Sequence, residues 1–185
     1  SYRPFDFRYT YYTGNSRGFI CMPRREVMSN MLENNICLVF QRGFSTGNIM
    51  NVPQVSSSII DQGFSYPANR ALSNCAPLYI YNSDRGDQYQ MFEPDNVNNA
   101  KVGVNINNDF LNQIENQTGL HLIPEKNNLS NSFSFIDAFH YIFSVLCSKS
   151  YRIRYADFQS TDYPVIPVTS NKDLFRKLAD FGADL

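Results

Sequence analysis

Residues 134–147, SFIDAFHYIFSVLC, constrain the fold more than any other stretch of this chain. Their apolar side chains recur at helical spacing and cover more than one face of the helix they would form. A helix that is apolar on several sides has to be enclosed by other elements, so the chain needs a core built around this segment. Ser134 with Asp137 has the form of a capping box that uses Asp, which places the helix start there. The flanking sequence is helical too. Phe110, Leu111, Ile114 and Leu120 fit a helix whose exit is marked by Gly119, and KSYRIRYADFQ at 149–159 reads as a second helix after the apolar one. YPVIP at 163–167 excludes helix, and a last helix is expected from Asn171 or Lys172 to Phe181, ending before Gly182.

The first 81 residues have a different period. YRPFDFRYTYY at 2–12 is aromatic and reads as an extended strand entered through a turn, with TGNSRG at 13–18 as the turn after it. Val27, Met28, Met31 and Leu32 within RREVMSNMLE fit a short amphipathic helix that Pro23 can start. The run Ile36–Phe40, ending at Gly43, fits a buried strand. Val52, Val55, Ile59 and Ile60 are candidates for further strand residues broken by Pro53, and PLYIY at 77–81 is another β-type run. The polar stretch NSDRGDQYQMFEPDNVNN then reads as a long loop. The expected class is α+β, with a mixed or mostly antiparallel sheet from the N-terminal half and a C-terminal helical cluster. One domain over 1–185 is expected, with a sheet-rich part over about 1–100 and a helical part over about 105–185.

Common catalytic constellations are missing from the sequence. There is no GxxxxGK[ST] loop, no GxGxxG after a strand and no GxSxG. Pro94 and Asp95 begin like a nuclease acid motif, but no acid-x-Lys triplet follows where a second metal-binding pair would be needed. Cys21, Cys37, Cys75 and Cys147 stand far apart, and neither His121 nor His140 lies at ligand spacing from them, so no metal site is expected. His140 reads as a core histidine, His121 as a loop residue, and Asp6 between Arg3 and Arg8 as half of a structural ion pair. No apolar run is long enough to cross a membrane, and a cytoplasmic setting with reduced, mostly buried thiols is expected.

Charge narrows the choice of partner. The formal net charge is only -1, yet residues 1–70 hold seven Arg, no Lys and four acids. Residues 71–137 set Arg85, Lys101 and Lys126 against eight Asp or Glu. Arg used alone suits bidentate pairing with phosphate or a guanine edge, although it equally serves as partner to structural carboxylates. Arg17, Arg24 and Arg25 are the candidates for phosphate contact. Gln41, Arg42, Asn48, Tyr66, Asn69 and Arg70, in or beside turn-rich segments, are the candidates for contact with base edges; the alternative for each is simple solvation of the surface.

The ordered set YRPFDFRYTYY, CMPRREVM, NNICLVFQRG, SSSIIDQGF, PLYIY and FHYIFSVLCSKSYRIRYADFQSTDYPVIPVTSNKDLFRKLADFG resembles the C-terminal target-recognition domain of type ISP restriction-modification enzymes. It is also similar to related adenine-N6 DNA methyltransferases of the type IIG sort, and the likeness covers nearly the whole chain. The resemblance implies double-stranded DNA as partner. It also implies a methyltransferase domain in cis that flips and methylates an adenine, with S-adenosylmethionine held in that domain and not in this one. The methyltransferase's Asn-Pro-Pro-Tyr-type motif is absent here, so by resemblance this fragment is non-catalytic. Opening at SYRPFD without a Met, the chain reads as a piece of a larger bacterial enzyme. The resemblance makes both ends scaffold and gives specificity to the middle, about residues 41–100. Two other readings stay open: a protein-interaction scaffold whose C-terminal helices dock onto a methyltransferase or helicase domain, and an independent small enzyme such as a nuclease, which the missing motifs disfavour.

Overall fold

Strand β1, Cys37–Gln41, organises the first part of the fold. Cys37 and Val39 are fully buried, while Leu38 and Phe40 on the opposite face are half-buried, as a central strand with one face on a core requires. The computed structural model describes residues 5–16, 23–41, 52–64, 73–81, 90–92, 102–124, 131–159 and 162–185. Of Gln41, 90–92 and Gln159 it describes the backbone alone.

β1 pairs antiparallel with β2, Gln54–Ser56, on one side and with β3, Ser73–Pro77, on the other. Its core face packs Met31, Cys37, Val39 and Phe64 together, with Ile59, Ile60 and Cys75 against them. Before the sheet comes a single turn of helix, α1 at Arg25–Met28, which tightens into a 3-10 turn over Ser29–Leu32. The amphipathic spacing of Val27, Met28 and Met31 accounts for this helix, but Arg24 precedes its first residue, where Pro23 was expected to start it. Asn35 ties these pieces together. Its amide nitrogen donates to the carbonyls of Asn30 and Tyr79 at 3.0 and 2.8 Å, and its oxygen accepts from the backbone N–H groups of Ile36 and Tyr79 at 2.9 and 3.1 Å. The chain divides into two compact units, and all of this belongs to the first, residues 1–79 and 157–163.

The second unit, residues 80–156 and 164–185, is built around α3, Phe135–Cys147. The capping box is present: the Ser134 hydroxyl accepts from the Asp137 backbone N–H, and the Asp137 carboxylate accepts from the Ser134 backbone N–H at 2.9 Å. Buried residues occupy most of the circumference of α3, and α6, Lys172–Asp184, packs along it. Tyr141 of α3 stacks on Phe175 of α6 with centroids 4.8 Å apart, and Phe133 meets the same ring edge-on at 5.6 Å. Helix α2, Asn108–Thr118, ends at Gly119 with a φ of 70°, the left-handed cap that glycine adopts without strain. Two hydroxyls hold the proline-containing stretch at 164–169: Tyr141 of α3 donates to the Pro167 carbonyl and Tyr151, in the helical turn after α3, to the Val165 carbonyl, both at 2.7 Å. The chain is mixed α+β, as its sequence pattern implies.

Several expectations are corrected. The described part of 2–12, from Phe5 on, forms no strand beyond a single bridge residue at Asp6: Phe5, Phe7, Tyr9 and Tyr11 are exposed, and exposed aromatic alternation is not enough to make a sheet. PLYIY divides at the buried Leu78 into the end of β3 and a separate β4, Tyr79–Tyr81. The polar stretch taken as one loop contains β5, Gln90–Phe92, which pairs antiparallel with β6, Val102–Val104. His121 lies in strand β7, His121–Ile123, which runs parallel to β8, Ser132–Ser134. The helix expected over 149–159 breaks at Tyr155 into α4, Lys149–Arg154, and α5, Ala156–Gln159. Helix α6 runs on through Gly182, where the missing side chain lets it lie directly on the backbone carbonyl of His140. Among the described residues, no helix is long and apolar enough to cross a membrane.

Candidate nucleic-acid interface

Antiparallel pairing gathers the ends of the first sheet. Gln41, the last residue of β1, is in register with Ser73, the first of β3, and Val39 with Gln54, the first of β2. The segment 42–51 therefore departs from and returns to the same end of the sheet that receives the chain after residues 65–72. The ends of 65–72 are also drawn together, because the Ser73 backbone N–H donates to the Gln62 carbonyl at 3.1 Å and Phe64 is anchored in the core. Of the residues expected to meet bases, Gln41 is placed by its backbone at this sheet end. Arg42, Asn48, Tyr66, Asn69 and Arg70 lie outside the described residues, in the two segments whose described flanks converge there.

Of the phosphate candidates, Arg17 lies outside the described residues, while Arg24 and Arg25 are exposed at the start of α1. Arg24 has left-handed backbone, φ 49° and ψ 52°, which for a residue with a Cβ costs roughly 1–2 kcal/mol. It is held there by the first turn, since its carbonyl accepts from Val27 and Met28 at 3.0 and 2.9 Å. The stem of Arg25 lies over Gly14, whose φ of 70° and lack of a side chain admit it. Tyr12 completes the corner by donating its hydroxyl to the Pro23 carbonyl at 2.8 Å. Burial pushes the Tyr12 phenol up, partly offset by the nearby Arg25 charge, so it stays a neutral donor. Two cations are thus presented side by side on a braced turn. Asp6 and Arg8 form the expected kind of local pair, two parallel hydrogen bonds of 2.9 and 3.1 Å, on the surface.

A further basic element was not singled out from sequence. Helix α4 carries Lys149, Arg152 and Arg154, and residues 138–156 contain no Asp or Glu. Lys149 and Arg154 are exposed and Arg152 is half-buried. The signal of this element in the sequence is the acid-free run 138–156, which the helical periodicity of 149–159 does not by itself reveal.

Cys37 and Cys75 lie diagonally across β1 and β3, and neither these nor Cys147 forms a disulfide among the described residues; Cys21 is outside the described residues. Among the described residues no group of three or more His, Cys, Asp or Glu stands close enough to hold a metal ion. The buried polar side chains Asn30, Asn35, Ser56, Thr118 and Ser134 are committed to backbone or capping hydrogen bonds.

No curated protein and no solved structure matches the chain. A family model does: that of the type ISP C-terminal specificity domain matches residues 1–185, and the chain belongs to that family, whose role in a restriction-modification enzyme is target recognition rather than catalysis.

Proposed function

We infer that this chain reads a short sequence in double-stranded DNA on behalf of a larger restriction-modification enzyme. Membership of the specificity-domain family carries the reading. The convergence at one sheet end of the described flanks of 42–51 and 65–72 supports it, since polar segments on a rigid sheet are a common way to present base-reading side chains. In this reading Gln41, Arg42, Asn48, Tyr66, Asn69 and Arg70 address base edges, with Asn and Gln suited to adenine and Arg to guanine. Arg17, Arg24 and Arg25 hold phosphates and set register without reading sequence.

Adenine-N6 methylation, with S-adenosylmethionine as donor, belongs in this proposal to a methyltransferase domain in cis. What supports placing the cofactor in that domain is that the sequence has no Asn-Pro-Pro-Tyr-type run and that, among the described residues, Asn30, Asn35, Ser56, Thr118 and Ser134 are committed to hydrogen bonds within the fold. The scaffold reading draws on a different observation, the exposed aromatic series Phe5, Phe7, Tyr9 and Tyr11.

Selection from a randomised duplex pool at low and moderate salt tests the proposal, with an Arg42→Ala, Arg70→Ala double variant alongside. Enrichment of one short motif, lost in the variant, is the expected result. Retention of DNA without any enriched motif would show a module that grips but does not read, and no retention at either salt would favour the scaffold.

A further inference from the structure

Helix α6 carries a second apolar stripe that its packing on α3 does not use. The first stripe is Phe175, Ala179 and Gly182, all buried; Phe175 stacks on Tyr141 and Gly182 lies on the His140 carbonyl. One position earlier at every step stand Leu174, Leu178 and Phe181, continued by Leu185 at the helix end, spaced four, three and four residues apart. Leu174, Phe181 and Leu185 are 45, 61 and 73% exposed, and Leu178 is half-buried. At 3.6 residues per turn the second stripe is turned by about 100° from the first, so α6 cannot bury both on one neighbour. One position earlier again come Asp173, Lys177, Asp180 and Asp184, all exposed, three acids to one lysine. Polar helix formers on the second stripe would leave the α3 contact intact, and a contiguous apolar patch kept in water marks a surface that another element covers.

The spacing says which kind of element that is. Four-three-four is the seam that a second helix fits, whereas a strand presents a period of two. The acidic flank says which charge that helix carries, because flanking residues pair across such a seam and select the partner. A second copy of this chain is disfavoured on two counts. In an antiparallel pair of copies the acidic flank would meet itself. The stripe also offers only on the order of 400 Å² of apolar surface, about half of what each partner gives to a stable standard-size interface. A helix tethered within the same enzyme needs less area, since tethering supplies an effective concentration in the millimolar range.

We propose that the stripe from Leu174 to Leu185 is the seat of an amphipathic helix from elsewhere in the restriction-modification enzyme, with a leucine-type seam and a flank of Lys or Arg. The seat stands apart from the DNA reading and needs only family membership, since a C-terminal specificity domain has other parts of its enzyme to dock on.

The whole chain, isotope-labelled, is titrated by NMR with two synthetic helical peptides up to about 1 mM. Both carry leucines at four-three-four spacing; one has lysine flanks and the other glutamate flanks. Saturable shifts confined to α6 are expected with the lysine peptide, and roughly tenfold weaker binding with the glutamate peptide. Leu174→Ser and Phe181→Ser should each abolish the shifts, and Asp180→Lys with Asp184→Lys should reverse the preference. These side chains are exposed, so thermal midpoints of the variants should stay at that of the unaltered chain. Equal affinity for the two peptides, or no shift on α6 with either, overturns the seat. Sedimentation that shows the unaltered chain dimeric and Phe181→Ser monomeric gives the stripe to a second copy and overturns it too. Nanomolar affinity for the lysine peptide overturns the tethered source. Motif-duplex binding should be the same in Phe181→Ser as in the unaltered chain; its loss would put the stripe on the DNA side and overturn the seat. If the unaltered chain binds no duplex while the lysine peptide binds as expected, the DNA reading falls and the seat stands.

Discussion

At the scale of single residues, Asn35 is the polar side chain on which the first unit depends. It is 4% exposed, and its amide makes four hydrogen bonds to backbone groups, two of them with Tyr79, forty-four positions away. The amide behaves as a strand surrogate, offering both an acceptor and a donor to Tyr79, the first residue after the Leu78 break. Asn35→Ala removes the partner of the Asn30 and Tyr79 carbonyls and of the Ile36 and Tyr79 N–H groups, so about 3 kcal/mol of stability should be lost in urea unfolding. Asn35→Asp should do no better at neutral pH, because a carboxylate cannot donate to the Asn30 and Tyr79 carbonyls. If Asn35→Asp keeps full stability, the donor side of the network is not what matters. Nothing in the residue's sequence neighbourhood, ENNIC, distinguishes it from the many surface asparagines of this chain; its partner is distant, and only folding brings the two together.

At the scale of elements, what was legible is what local chemistry determines. The apolar helix 135–147 with its Ser134 and Asp137 cap, the exit of α2 at Gly119, and the non-helical stretch through Pro164 and Pro167 all follow from residues within a turn of each other. Strands were harder, because their partners lie elsewhere: β3 opens on the polar Ser73 and Asn74, and β6 is Val-Gly-Val, so neither shows the alternation that marks a half-buried strand. Of the candidate base readers, most sit in segments beyond the described residues, and what could be recovered is the common sheet end to which those segments attach. Gly182 shows how tertiary contact overrides a local stop signal. Read locally it ends α6; in the fold it is the point where α6 touches the His140 carbonyl. In an open helix Gly→Ala would gain roughly 1 kcal/mol from propensity. Gly182→Ala should instead destabilise, by about 2 kcal/mol or more, since the new methyl would overlap backbone on α3 that has little freedom to move. A thermal midpoint that rises in this variant would mean that α6 can slide off α3 without loss.

At the scale of the whole molecule, the shifted groups among the described residues all point in one direction. The Cys75 thiol is pushed far up, first by its hydrogen bond with Cys37 and then by burial, and the Cys147 thiol is pushed up by burial against the offsetting Arg152 charge. Burial likewise raises the Tyr141 phenol, with a partial offset from the Thr169 backbone N–H, and the Tyr12 phenol, with a partial offset from Arg25. Each is an acid that is neutral when protonated and that the fold holds in that form. Once pH passes the ordinary thiol value of 9.0, the unfolded chain gives up protons that the folded chain keeps. Unfolding then releases protons, so rising pH favours the unfolded state; the contribution of these groups is fully present below that value and is lost above it. Because Cys75 and Tyr12 belong to one compact unit and Cys147 and Tyr141 to the other, both units should weaken together on the alkaline side. Urea midpoints should therefore hold steady from about pH 7 to 8.5 and fall by about pH 10, and Cys75→Ala should flatten that fall even though it lowers the starting midpoint. DNA binding measured across the same range has to be referred to the folded fraction, since an alkaline loss of affinity that tracks the midpoint reports on these buried acids and on unfolding rather than on the DNA contacts themselves.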